Sequence, residues 1–99
     1  MRIISKKRLR EFWENHPAAK EPLLSWYQTT ELATWQNLPE TKNDFPHADL
    51  VGECTVFNIG GNKYRLIAAL KYKWQMVYVR HVLTHKDYDK GDWKDDCYG

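Results

Sequence analysis

The fold turns on residues 54–83, CTVFNIGGNKYRLIAALKYKWQMVYVRHVL. Three runs rich in β-branched, aromatic and aliphatic residues stand out: CTVFNI (54–59), KYRLIAALK (63–71) and QMVYVRHVL (75–83). Such residues suit a pleated, half-buried surface. The intervening GGN (60–62) is a turn signal, and YKW (72–74) reads as the next turn. Three consecutive strands joined by tight turns predict an antiparallel meander.

Upstream, MRII (1–4) reads as a short strand. Ser5 can cap a helix over residues 6–16, where Leu9, Phe12, Trp13 and His16 recur at spacings of three and four. Pro17 stops it, because the residue before a proline resists the helical region. A second helix is expected from Pro22, with Leu23, Trp26, Tyr27, Leu32 and Trp35 on its apolar face and Pro39 closing it. Residues 39–53 read as a loop. The expected order is β-α-α-β-β-β, an α+β fold in which a helical hairpin covers one face of a small antiparallel sheet. With 99 residues, 1–99 reads as a single domain. Residues 84–99 are polar, with a short helix expected around Lys86–Lys90 and a tail beyond it.

A formal net charge of +2 conceals a strong segregation. Residues 1–10 hold five basic side chains and no acid, and residues 62–86 hold six and no acid. Charge concentrated on one sheet suits a polyanion. No apolar run approaches the roughly 18 residues that a membrane span requires. No apolar stretch follows the basic N-terminus, so no secretory leader is expected. Cys54 and Cys97 lie far apart without CxxC spacing and read as free thiols of a reducing cytoplasm.

Strand neighbours alternate faces. Lys63, Arg65, Ile67 and Ala69 should share one face, and Tyr64, Leu66, Ala68 and Leu70 the other. On the last strand, Met76, Tyr78, Arg80 and Val82 should oppose Val77, Val79, His81 and Leu83. Arg65 and Arg80 therefore sit mid-strand among apolar neighbours. A buried cation is costly unless it has a partner. Each arginine either pairs with an acid from the helices or loop, or the two share an anion site. Guanidinium groups match phosphate with forked hydrogen bonds. Tyr64, Tyr72, Trp74 and Tyr78 are candidates for stacking on unpaired bases, or for the core. THKDYD (84–89) follows the last strand and adds His85, Lys86 and Tyr88. Histidine is suited to moving protons near neutral pH. His81 and His85 are four apart, but on a strand running into a loop they would not converge on a metal. No metal or cofactor is expected.

The run Phe57–Asn62, the pair Tyr64–Arg65, Arg80 on the last strand and Thr84–Asp89 together resemble the HigB toxins, a branch of the RelE-like toxins of bacterial toxin–antitoxin modules. The resemblance spans most of the chain and is dense from 54 to 89. It implies a RelE-like fold and cleavage of mRNA in the ribosomal A site, restrained by a HigA-type antitoxin. By that resemblance Arg65 and Arg80 would hold the phosphate, and His85 and Tyr88 would be the acid–base pair, with the two roles unassigned between them. Lys63 and Lys86 would add positive field, and Tyr64, Lys71 and Lys73 would extend the RNA contact. Metal-free cleavage would use the substrate's own 2′-hydroxyl as nucleophile. A non-cutting RNA- or ribosome-binding translation blocker is the alternative reading.

Overall fold

The structure is a computed structural model, and it describes residues 1–98. Five strands form one sheet in the order β1-β5-β4-β3-β2: β1 (Arg2–Ile4), β2 (Asp49–Val51), β3 (Cys54–Ile59), β4 (Tyr64–Lys71) and β5 (Met76–Thr84). The expected meander is β3-β4-β5. Its first turn contains Gly60 and Gly61, both at positive φ, which glycine adopts without steric cost.

Two expectations about the sheet need correction. It is mixed rather than wholly antiparallel, because β1 lies parallel to β5 with Arg2 opposite Met76 and Ile4 opposite Tyr78. The expected loop 39–53 also contains structure. Asn37 caps α3 (Leu38–Asp44), its Oδ1 accepting from the Glu40 amide at 3.0 Å. Pro39 thus sits in the first turn of a helix, where its missing N–H costs nothing. The edge strand β2 then pairs with β3 through a two-residue turn at Gly52 and Glu53.

The helical hairpin is α1 (Lys6–Asn15) and α2 (Lys20–Leu32). A 3-10 turn at Pro17–Ala19 leads into α2, which ends three residues before Trp35. Leu9, Leu23 and Trp26 are buried against Phe57, Leu66, Ala68, Val77 and Val79, and this is the main core. A second, smaller core lies on the opposite face of the sheet: Val56 and Ile67 under Trp93, with Cys54 and Cys97. Its cover is the C-terminal segment, namely α4 (His85–Lys90), a 3-10 turn (Asp92–Lys94) and α5 (Asp95–Tyr98). Residues 91–98 are therefore a packed lid over the sheet, not a solvated tail. With both faces covered, β4 is buried from Arg65 to Ala69, which explains its nearly continuous apolar run.

Cys54 and Cys97 are joined in a disulfide across 43 residues, which corrects the expectation of free thiols. Sequence separation is no guide here, because α5 folds back onto β3. Gly52 permits the close approach: a Cβ there would collide with the Cys97 carbonyl, whose oxygen accepts from the Glu53 amide at 2.8 Å. No helix among the described residues is long and apolar enough to cross a membrane.

Candidate active site

A β-bulge sets the geometry of β5. Ile67 pairs with His81 and Ala68 with Val79, so Arg80 is the extra residue with no partner on β4. A bulge shifts the side-chain alternation by one. Val82 therefore joins Val77 and Val79 against the helices, while His81 and Leu83 turn to the Ile67 face. The expected assignment of faces holds only up to the bulge. The Arg80 carbonyl, freed from the ladder, accepts from Arg8 Nη1 at 2.6 Å. The Arg80 side chain is exposed and makes no ion pair among the described residues.

Arg65 is the unusual residue. It is only 8% exposed, yet no carboxylate pairs with it among the described residues. Its Nη1 donates to the carbonyls of Asn62 and Tyr64, each at 3.2 Å, and its Nη2 donates to Asn62 Oδ1 at 2.5 Å. A guanidinium has five N–H donors. Three are used, so two remain for a ligand. The guanidinium also lies over the Tyr88 ring, 5.0 Å from its centroid. Neutral carbonyls and an aromatic face hold the cation in position without neutralising it.

The turn and α4 bring His85 to the same place. Thr84 caps α4, its Oγ1 accepting from the Asp87 amide at 3.2 Å, and Gly91 ends the helix at φ +78. The pattern Thr-His-Lys-Asp-Tyr-Asp-Lys-Gly is thus a capped turn-and-a-half with a glycine stop. Residues three apart share a helix face, so His85 and Tyr88 point to one side. The His85 amide donates to the Lys63 carbonyl at 3.0 Å. His85 Nδ1 lies 3.2 Å from the Asn62 carbonyl, an acceptor. Its Nε2 lies 3.2 Å from Asp89 Oδ2. Asn62 therefore anchors both Arg65 and His85. Sequence reading treated it only as part of a turn.

The structure gathers Lys63, Arg65, His85, Lys86 and Tyr88 at one end of the sheet. Arg80 lies about 10 Å further along β5, three residues back from Leu83, which pairs with Arg65. The other residues singled out lie apart. Tyr64 is on the helix face, its ring edge-on to Phe12 at 5.5 Å. Tyr72 is tied into the core by its hydroxyl, 2.9 Å from Thr41 Oγ1. Lys71 and Lys73 lie at the far end of the hairpin, about 20 Å along the strand from Arg65. Trp74 beside them is 67% exposed. His81 pairs with Asp96 at 2.5 Å rather than with His85.

Fold and site together define a small RelE-like domain with a cationic cluster where a sheet end meets a short helix. The sequence pattern of the HigB toxin family, described as the RelE-like toxic component of a toxin-antitoxin system, matches residues 19–91. The chain is 33% identical over 92 residues to the mRNA interferase toxin HigB of Escherichia coli (strain K12), covering 90% of this chain and 88% of that one. The mRNA interferase HigB of Shigella flexneri is equally similar. A further mRNA interferase HigB, from Escherichia coli O6:H1, is 29% identical over 93 residues, 91% of this chain and 90% of that one. This chain belongs to the HigB toxin family.

Proposed function

We propose that this protein is an endoribonuclease that cuts translated mRNA in the ribosomal A site and so arrests translation. The observation that carries this reading is Arg65, a nearly buried cation that among the described residues has no acid partner and leaves two donors unused, flanked by His85 and Tyr88. An anion with fixed geometry would complete that environment, and the family's relatives are named for action on mRNA.

In the proposed reaction the 2′-hydroxyl adjoining the scissile phosphate attacks phosphorus. One of His85 and Tyr88 takes the hydroxyl proton, and the other protonates the departing 5′-oxygen. Arg65 and Arg80 hold the phosphate and stabilise the charge that builds on its oxygens. Lys63 and Lys86 add positive field, while Tyr64, Lys71 and Lys73 serve as outer RNA contacts along the flanks. The reaction needs no metal, because the nucleophile is already part of the substrate. A HigA-type antitoxin would restrain the toxin in the cytoplasm, where its substrate is translated.

The chemistry dictates the test. Attack by the 2′-hydroxyl leaves a 2′,3′-cyclic phosphate and a 5′-hydroxyl. Ribosomes programmed with a defined mRNA should yield fragments with 5′-hydroxyl ends. Fragments with 5′-phosphate ends would contradict the mechanism. Blocked translation without new ends would favour the non-cutting blocker.

A further inference from the structure

Residues 92–98 lie beyond the segment that the family pattern matches, and they make a specific contact with the site. The Trp93 ring stacks on Tyr88 at 5.1 Å between centroids and 13° between planes. Its Nε1 donates to the Tyr88 carbonyl at 3.0 Å. Tyr88 in turn lies beneath Arg65. Trp93, Tyr88 and Arg65 therefore form one continuous stack from the second core into the site. Trp93 is 3% exposed, so little else can fill its place.

The segment that holds Trp93 is short and would not stay helical alone. It is fixed to the sheet at three points: the Cys54–Cys97 disulfide, the Glu53 amide bond to the Cys97 carbonyl, and the His81–Asp96 pair. Only the first is covalent.

We propose that Trp93 is a positioning residue for Tyr88, and that the Cys54–Cys97 disulfide is the lock that keeps it there. The proposal rests on the nuclease reading for its activity arm, but its structural arm stands alone. Disulfides in a reducing compartment are commonly transient or redox-sensing. A dithiol reductant breaks the S–S bond, supplies two electrons and two protons to make two thiols, and is itself oxidised to a disulfide. The four-residue α5 is then held only by non-covalent contacts and frays readily. The Tyr88 phenol loses its backing, so the oxidised toxin is the more active form.

The test uses the full chain in oxidised and dithiothreitol-reduced states, with thiol titration confirming each. Two quantities are read: the single-turnover cleavage rate with RNA affinity, and hydrogen exchange at the Trp93 indole N–H. Reduction should slow cleavage about tenfold or more, reversibly, with RNA affinity held within about twofold, and should speed indole exchange. Cys97→Ser should resemble the reduced protein and ignore dithiothreitol. Trp93→Ala should cleave slowly with RNA affinity retained, whereas Trp93→Phe, which keeps the ring, should recover most of the rate. Unchanged cleavage and unchanged indole exchange on full reduction would overturn the lock. A folded Trp93→Ala that cuts at the wild-type rate would overturn the positioning role. If the oxidised wild type cuts no RNA, the nuclease reading fails, and indole exchange alone decides the lock.

Discussion

On the helix side of the sheet, Phe57 sits among Trp26, Trp35 and Phe45, with centroid separations of 5.5, 6.5 and 5.2 Å. On the other side, Val56 and Ile67 are covered by Trp93 and a disulfide, with Val51, Leu83 and Tyr88 packed at the margin. The first face is sealed by aromatic packing, and the charges that reach it, the Asp44 carboxylate on Trp35 Nε1 and the Met1 ammonium on three carbonyls, are held within the fold. The second gives way at its end to Arg65, Tyr88 and His85, where Arg65 is held by two backbone carbonyls and the Asn62 amide oxygen, with no ion pair among the described residues, and His85 faces Asp89 at 3.2 Å. On the proposed reading, stability and chemistry are divided across one sheet. A side chain lost from the first face should unfold the protein, and one lost from the polar end of the second should leave it folded and disarm it.

The largest effect should come from the sealed face. Phe57→Ala should cost about 3–5 kcal/mol of stability, seen as a lower urea midpoint. A loss near zero would mean that the aromatic cluster is not the fold's anchor. Across the sheet, Asn62→Asp sharpens the contrast. The carboxylate would supply the anion that Arg65 lacks, so stability should hold or rise. Cleavage should fall by about 1.5–3 kcal/mol of transition-state binding, roughly ten- to hundredfold, as the phosphate loses its charge-assisted donors. Unimpaired cleavage would show that Arg65 is not the phosphate site. The smallest effect lies away from both faces. Asn37→Ala removes the cap of α3 and should cost about 1 kcal/mol by chemical denaturation, with cleavage unaffected.

What was legible in the sequence was local. GGN gave its turn because two glycines accept positive φ, and THKDYDKG gave a short helix because Thr84 caps it and Gly91 ends it. The meander followed from composition. The remainder depended on contacts distant in sequence. One local signal was also misjudged: Pro39 looked like a stop, but Asn37 just ahead of it caps a helix and makes it a start. The bulge at Arg80 is a matter of register with β4, and nothing in QMVYVRHVL announces it. The disulfide required α5 to return to β3, and the polar composition of 84–99 hid Trp93 as a buried residue. At the candidate site, Arg65 drew attention because a mid-strand cation demands a reason. Asn62 was missed as an anchor because a turn residue already has one.

The central claim is that Arg65 is a structural cation left unpaired for RNA. Its most direct test is expression of the wild type and Arg65→Ala in cells, with mRNA 5′ ends mapped and the folding of each purified protein checked by thermal melt. The account predicts cuts within translated frames for the wild type. It predicts their loss in a variant that still melts cooperatively, a fall of about a hundredfold or more. Wild-type cutting by the folded variant would contradict it, and would move the chemistry away from this end of the sheet.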